Sequence, residues 1–232
     1  MPKTDVQCRF CKKPDFVYKH GIGSGGHPRF RCTDCKKTFQ LDYTYTAHKE
    51  GIKEQVVKMA MNGSGVRDTS RVLGIGLNTQ HFKKLKPKQI THIPFNNIQL
   101  ICEVDEQWSF VGKKSNQRWL WYAWEPRFKR VIAYVFGRRT SATLLKLLVL
   151  LKPFKVRFFC TDNFSPYESY LPESKHITEK AYTQRIKRQN LTLRTRLKRL
   201  MRKTICFSKS EEMHDKVIGT FIERYYFNAL ES

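Results

Sequence analysis

Two cysteine pairs near the amino terminus constrain the fold of this chain more than any other feature of the sequence. Cys8 and Cys11 form one Cys-x-x-Cys pair, and Cys32 and Cys35 form a second pair after an interval of twenty residues. A two-residue spacer lets both thiolates of a pair reach one ion from a tight turn, and Zn²⁺ takes four such ligands in a tetrahedron. Redox-active or simply buried pairs are the alternative, but two pairs at this spacing favour a structural zinc ribbon over residues 1–49. Its strands are predicted around residues 16–18, 30–32 and 39–41.

The excess of positive charge narrows the possible partners. The 232 residues include 44 Lys and Arg against 20 Asp and Glu, a net charge of +24. Such charges repel one another in a folded chain unless a polyanion neutralises them, and double-stranded DNA does so with release of counterions. Hydrophobic residues make up 40% of the chain, which excludes a disordered tail, and no apolar run is long enough to span a bilayer. These features predict a DNA-binding protein of the cytoplasm that is not associated with a membrane.

Residues 50–86 have the pattern of a tri-helical helix-turn-helix. An apolar helical face over residues 52–61 is followed by a second helix over residues 65–76, and Asn78 caps a third, polar helix. In such a unit the last helix lies in the major groove of DNA. An ordinary three-helix packing unit is the alternative. The candidate DNA contacts on the third helix are Thr79, Gln80, Lys83 and Lys84.

Residues 98–232, which follow a proline-containing linker over residues 87–97, show strand and helix patterns in an informative order. Three strands are followed by an apolar helix, a fourth strand and a long basic helix. This order matches an α/β ribonuclease H-like domain with a mixed sheet, in which the fourth strand lies parallel beside the first. The elements are predicted at residues 98–105, 118–124, 130–136, 141–151, 156–162 and 183–202.

Two of these predicted strands end in a carboxylate. Asp105 ends the first strand and Asp162 ends the fourth, so a parallel pair of strands brings both side chains to one place on the sheet. Two carboxylates held close repel each other unless a cation lies between them, and their hard oxygens suit Mg²⁺ or Mn²⁺. Such ions assist phosphodiester displacement. Aspartate is common at the ends of strands, so either residue alone is a weak signal of function. The two together predict a metal site.

Six short motifs resemble the transposases of the insertion-sequence-one family. They lie at residues 104–112, 117–120, 161–163, 182–186, 203–210 and 214–216. The resemblance covers nearly the whole chain, including the zinc ribbon and the helix-turn-helix. In that family the full-length enzyme is a fusion of a DNA-binding protein with a catalytic part, and residues 86–88 lie about where the junction falls.

The resemblance implies a catalytic triad of the Asp-Asp-Glu type, with Asp105 and Asp162 as its two aspartates and a divalent metal ion as its cofactor. It also implies that the protein binds terminal inverted repeats, cleaves the 3′ ends of the element and transfers them to target DNA. Because two ends must be held together, a homo-oligomer is expected. The resemblance further implies a bacterial protein that is associated with the nucleoid.

The third position of the triad departs from the family pattern. The family has Ile-Glu-Arg where this chain has Ile186-Lys187-Arg188, and an ammonium group cannot ligate Mg²⁺. Three interpretations of Lys187 follow. This chain is an inactive copy or a deliberately altered form of the enzyme. Alternatively, another carboxylate takes the place of the glutamate, or the two aspartates alone support weak catalysis. Our interpretation is an active ancestry with catalysis impaired in this copy. The candidate replacement carboxylates are Glu179, Glu211 and Glu212.

The long basic helix has an apolar face and a charged face. Arg185, Arg188 and Arg194 are predicted to contact the DNA backbone, which gives affinity without sequence information, although a charge run is usually a solvated face. The apolar residues predicted to enter the core are Ile186, Leu193, Leu197 and Leu200.

Two other functions fit parts of the sequence. A non-catalytic DNA-binding repressor of the element would need only the amino-terminal half of the chain. A tyrosine recombinase would use Tyr225 or Tyr226 as its nucleophile, but this function leaves the aspartate pair without a role.

Overall fold

The protein is described here by a computed structural model in which the chain forms two compact units, Met1–Glu50 and Gly51–Ser232. The structure describes residues 6–23, 25–77, 86, 89–90 and 98–227. Most of the predicted linker lies outside these ranges. So do the predicted DNA contacts Thr79, Gln80, Lys83 and Lys84.

The first unit is a small three-stranded antiparallel sheet. Its strands are β1 (Val17–Ile22), β2 (Pro28–Cys32) and β3 (Thr38–Gln40), in the order β1-β2-β3. This confirms the three strands predicted from the sequence. The buried core consists of Phe30 and Phe39, whose ring centroids lie 5.9 Å apart, together with Cys8 and Cys32. So few apolar side chains cannot stabilise a unit of this size by burial alone.

The second unit is built around a five-stranded mixed sheet with the strand order β6-β5-β4-β7-β8. The first three strands are antiparallel, and β7 and β8 run parallel to β4. The predicted parallel pairing of the first and fourth strands is therefore confirmed. The strands are β4 (Leu100–Val111), β5 (Lys113–Glu125), β6 (Arg130–Gly137), β7 (Val156–Cys160) and β8 (His176–Ile177).

Helices cover both faces of this sheet. They are α3 (Ser141–Leu151), α4 (Ser165–Tyr170), α5 (Gln184–Arg196) and α6 (Glu211–Ile222). One face packs its apolar side chains, including Cys102, Val104 and Trp121, against Leu144 and Leu147 of α3. Because side chains alternate along a strand, the neighbouring residues of β4 face α5 and α6 on the other side. Among the described residues, no helix has both the length and the apolar character needed to cross a membrane.

The first strand of the sheet is longer than the sequence pattern predicted. We expected it to end at Asp105, but β4 continues to Val111 and pairs along that length with β5. Gly112, with φ at +73°, forms the turn between the two strands. The prediction failed because residues 106–111 mix polar and apolar side chains, and their pairing partner follows only after the turn. Asp105 therefore lies in the middle of β4, where it pairs with Tyr122 of β5.

The basic helix is shorter than predicted. We expected it to reach residue 202, but α5 ends at Arg196, and Leu197 has extended backbone angles before a 3₁₀ turn at Lys198–Leu200. Leu197 and Leu200 are both fully buried. The break turns these two leucines into the core, so tertiary burial overrides the local preference for helix. The prediction that the apolar face of this segment enters the core is confirmed.

Two further helices, α1 (Ile52–Met61) and α2 (Val66–Leu73), belong to the second unit. They confirm the first two helices of the predicted helix-turn-helix. The α1 helix lies against the carboxyl-terminal segment, where Glu54 pairs with Arg224 at 2.6 Å. Gly63 follows α1 with φ at +86°, and a Cβ atom there would lie 2.8 Å from Cys206. Only glycine fits this close approach without a shift of the neighbouring chain.

Candidate metal sites and their surroundings

The four cysteines of the first unit converge on one point. Their sulfur atoms all lie within 4.8 Å of one another, with Cys8 and Cys35 separated by 3.5 Å and Cys11 and Cys32 by 3.6 Å. Four thiolates around one zinc ion at about 2.3 Å would be separated by roughly 3.8 Å, so the spacing suits a tetrahedral site. The backbone amide of Phe10 also donates to the Cys8 sulfur at 3.5 Å. These four residues fit a soft metal ion such as zinc.

A second cluster lies where β4 and β7 run side by side. Asp105 projects from the middle of β4, and Asp162 follows two residues after the end of β7. One oxygen of each, together with one oxygen of Glu106, forms a group within 4.8 Å. Burial, together with the neighbouring carboxylates of Glu106 and Asp162, raises the pKa of Asp105 to about 6. A bound cation would relieve this repulsion, so the cluster fits a hard divalent ion.

Glu106 is a member of this cluster that the sequence did not reveal. It lies on the opposite side of β4 from Asp105, and we had looked for further carboxylates only downstream in the chain. Tyr167 donates a hydrogen bond to Glu106 at 2.8 Å, and Arg139 pairs with it at 2.6 Å. Burial raises the pKa of Glu106, while these two partners lower it. The sequence signal that would have revealed Glu106 is the Asp-Glu dipeptide at residues 105–106, because it places a second carboxylate directly beside Asp105.

The α5 helix is attached to β4 by a row of polar contacts from alternate residues. Glu103 accepts a hydrogen bond from the backbone amide of Ile186 at 2.7 Å, in the first turn of α5, where such amides lack a partner within the helix. Two residues further along β4, Asp105 accepts a hydrogen bond from the Asn190 side chain at 2.8 Å. Gln107 then donates to the Asn190 carbonyl at 3.3 Å. The row fixes both the position and the rotation of α5 over the carboxylates.

Lys187, which the sequence analysis placed at the third position of the expected triad, lies on the outside of this helix. Lys187 is exposed, and the α5 side chain that contacts Asp105 is that of Asn190, three residues further on. Arg185 and Arg188 are also exposed, which leaves them accessible to DNA, whereas Arg194 is half-buried. A spacing of three residues brings side chains to neighbouring positions on a helix, so Asn190 could have been found by extending the motif by one turn.

The other carboxylates considered from the sequence lie elsewhere. Glu211 pairs with Arg118 at 2.8 Å, and Glu212 pairs with Lys216 at 2.6 Å, both at the start of α6. Glu179 is exposed before the first turn that leads into α5. In the part of the chain that the structure describes, the carboxylate grouped with Asp105 and Asp162 is Glu106.

A cysteine cluster on a small sheet, a helix-turn-helix segment and a carboxylate cluster on a mixed sheet together define a DNA-processing enzyme. Comparison with known proteins identifies which one. Residues 99–228 match the IS1 transposase family, residues 43–87 match the InsA C-terminal domain, and residues 1–36 match the InsA N-terminal domain, a zinc ribbon. The first of these matches covers more than half of the chain, and the chain belongs to the IS1 transposase family.

Individual relatives agree with this assignment. The chain is 58% identical over 130 residues to the insertion element iso-IS1n protein InsB of Shigella dysenteriae. The matched segment covers 56% of this chain and 99% of the relative. It is 51% identical over 143 residues to the insertion element IS1 4 protein InsB of Escherichia coli K12, across 61% of this chain and 86% of the relative. The protein is a DNA transposase of an insertion sequence. The repressor and tyrosine recombinase alternatives are not favoured, and Tyr226 is buried beside Gln189.

Proposed function

We propose that Asp105 and Asp162 bind the divalent metal ions of an Asp-Asp-Glu type active site on a ribonuclease H-like domain. The observation that carries this proposal is the grouping of Asp105, Glu106 and Asp162 within 4.8 Å. The strand order β6-β5-β4-β7-β8 supports the ribonuclease H-like assignment, because its first three strands are antiparallel and the next two run parallel to β4.

The proposed reaction has two steps. In the first, a water oxygen attacks the phosphorus at the element's end, and the bond to the 3′ oxygen breaks, leaving a free 3′-hydroxyl. In the second, this hydroxyl attacks a phosphorus of target DNA, and a target 3′-hydroxyl leaves. Mg²⁺ or Mn²⁺, when bound, would activate the attacking oxygen and stabilise the leaving one. Asp105 and Asp162 would hold that metal ion at the end of the parallel strand pair. The exposed Arg185 and Arg188 lie on α5 and are accessible to DNA phosphates.

The amino-terminal elements are proposed to direct this chemistry to the element's terminal inverted repeats. The cysteine cluster would hold a structural Zn²⁺. The segment that the sequence predicts as the third helix would read the repeat through Thr79, Gln80, Lys83 and Lys84. The domain boundaries we propose are 1–49, 50–86 and 98–232, with a linker over 87–97. Because two ends must be joined, the working form is proposed to be a homo-oligomer.

Lys187 is proposed to be the position of the family's glutamate, and its exposed ammonium group cannot ligate a cation. The test is Mn²⁺-dependent cleavage of a labelled duplex that carries the element's inverted repeat, with DNA binding measured in parallel. The variants are Lys187→Glu, Asp105→Ala, and the double variant that combines them. Lys146→Glu is the matched control, because it makes the same change of charge at an exposed position on α3.

Each outcome has a distinct meaning. Cleavage by Lys187→Glu, but not by the unaltered chain or by Lys146→Glu, would support a disabled transposase whose third ligand belongs at residue 187. Cleavage by the unaltered chain that is lost in Asp105→Ala would support the aspartate pair as sufficient together with Glu106. If every protein binds the repeat and none cuts it, or if the double variant cuts as well as Lys187→Glu does, the proposed active site is wrong.

A further inference from the structure

We infer that Asn190 is a positioning residue that fixes the Asp105 carboxylate for metal binding. This inference rests on the proposed metal site. The Asn190 side chain is buried beneath α5 and donates from Nδ2 to Asp105 Oδ2 at 2.8 Å. The other oxygen, Oδ1, accepts from the backbone amide of Glu106 at 2.8 Å. The carboxylate is therefore held at both of its oxygens, and its rotation about the Cβ–Cγ bond is set.

The Asn190 amide is itself held in one orientation. Tyr122, a fully buried residue of β5, places its hydroxyl 2.9 Å from Asn190 Oδ1 and 3.3 Å from the Ile186 carbonyl. Since the hydroxyl donates to the amide oxygen, the amide nitrogen is left to face Asp105. The backbone carbonyl of Asn190 accepts from Gln107, which is also fully buried. Asn190 thus connects two neighbouring residues of the sheet, Tyr122 and Gln107, to the Asp105 carboxylate.

The chemistry of these contacts suits a metal ligand. Each carboxylate oxygen has two lone pairs, so one hydrogen bond at each oxygen leaves a second lone pair for a cation. An amide donor also favours the charged form of the carboxylate, which is the form that binds metal. Residues that orient metal ligands in this way commonly change metal affinity by about 10- to 100-fold when they are removed. Asn190 therefore acts on the metal through Asp105.

The experiment measures the thermal shift that Mn²⁺ produces in the zinc-loaded full chain, titrated over several decades of Mn²⁺ concentration. In Asn190→Ala, we expect the Mn²⁺ concentration that is needed to produce a given shift to rise by about 10- to 100-fold. Asn190→Asp has nearly the same shape and still accepts from Tyr122, but it places a carboxylate against Asp105. In this variant we expect a lower melting temperature without metal and a larger shift with Mn²⁺ than in the unaltered chain.

Two controls separate the possible failures. Leu147→Ala removes buried apolar volume from α3, on the opposite face of the sheet, but leaves the Asn190 to Asp105 hydrogen bond, so the Mn²⁺ concentration that it needs for a given shift should change much less than that of Asn190→Ala. If Asn190→Ala and Leu147→Ala both melt earlier with an unchanged Mn²⁺ requirement, or if Asn190→Asp responds as the unaltered chain does, Asn190 only packs the core and the inference is overturned. Asp105→Ala tests the underlying proposal separately. If it keeps the full Mn²⁺ response, the metal does not bind at Asp105, whatever the Asn190 variants do.

Discussion

The two units of this chain reach a stable fold by different means. In the first unit, the buried side chains surround four convergent cysteines, and Phe30 and Phe39 make up most of its apolar core. In the second unit, a five-stranded sheet packs against α3 through a continuous apolar core. Short segments bury too little apolar surface to fold alone, whereas a larger sheet covered by helices does not need a metal for stability. The comparison predicts that the units should respond very differently to the same kinds of change.

The largest effect should come from removing the zinc ion that we propose for the first unit. Structural zinc in small domains contributes apparent binding energies of about 10–16 kcal/mol, far more than the net stability of a domain this small. We expect chelation, or Cys32→Ser, to unfold residues 6–50 while the second unit keeps its fold. Hydrogen exchange resolved along the sequence measures both units at once. Cys206→Ser is the control, since that cysteine lies outside the cluster. If the first unit keeps its protection from hydrogen exchange without zinc, the first unit does not depend on a metal for its fold.

The next effect should come from a cavity in the core of the second unit. Leu147 of α3 is fully buried in that core, and truncating a buried leucine to alanine costs about 2–5 kcal/mol. We expect Leu147→Ala to lower the unfolding free energy of the second unit by this amount, as measured by urea denaturation. The zinc content should stay unchanged. Leu145→Ala, at an exposed position of the same helix, should cost far less, and equal losses would contradict the assignment of the core.

A smaller effect should appear as a pH dependence confined to the second unit. His214 of α6 is fully buried between Ser109 and Ser208. Burial, with Arg199 and Arg118 nearby, lowers the pKa of His214 from 6.5 to about 3. The folded state keeps this histidine neutral, so below about pH 6.5 only the unfolded state gains a proton. Stability should fall with decreasing pH, by at most about 1.4 kcal/mol per pH unit.

Carboxylates such as Asp105, whose pKa is raised by partial burial, act in the opposite direction over part of this range. The measurement is therefore the difference in unfolding free energy between the unaltered chain and His214→Gln, recorded from pH 7 to about pH 4.5. We expect the difference to shrink as the pH falls. A difference that is independent of pH would mean that His214 titrates normally in the folded protein.

The smallest effect should come from a surface ion pair of the first unit. Lys13 and Asp34 lie 3.0 Å apart, and both side chains are substantially exposed. Exposed pairs of this kind contribute little because water and salt screen them. We expect Lys13→Ala, Asp34→Ala and the double variant to bind zinc as tightly as the unaltered chain, as judged by competition with a chelator. A clear loss of zinc affinity in either variant would show that the ribbon depends on more than its ligand bonds.

Much of the architecture followed from local patterns in the sequence. The spacing of Cys8, Cys11, Cys32 and Cys35 predicted one cluster, because a two-residue spacer leaves few ways to place two thiolates. The order of strands and helices predicted that Asp105 and Asp162 would meet, because a parallel neighbour of β4 must bring the second aspartate alongside the first. The first prediction depends on short-range geometry. The second depends on the small number of ways in which consecutive strands and helices can be connected.

Other features became visible only in three dimensions. The end of α5 at Arg196 depends on where Leu197 and Leu200 find the core, and no glycine or proline in that segment marks the break. The grouping of Glu106 with the aspartates depends on the path of Asp162 after β7, since alternation along β4 directs Glu106 away from Asp105.

The sequence alone therefore determined the family of the protein, the cysteine cluster and the two aspartates, because each is carried by residue types at fixed spacings. Only the tertiary structure decided that Asn190, and not residue 187, contacts Asp105 from α5. That contact depends on the rotation of α5, which is set by Glu103 and Gln107 from a strand about eighty residues earlier in the chain. The physical reason is that a helix's own pattern defines its faces, but its partners across the core decide which of its side chains reaches the site.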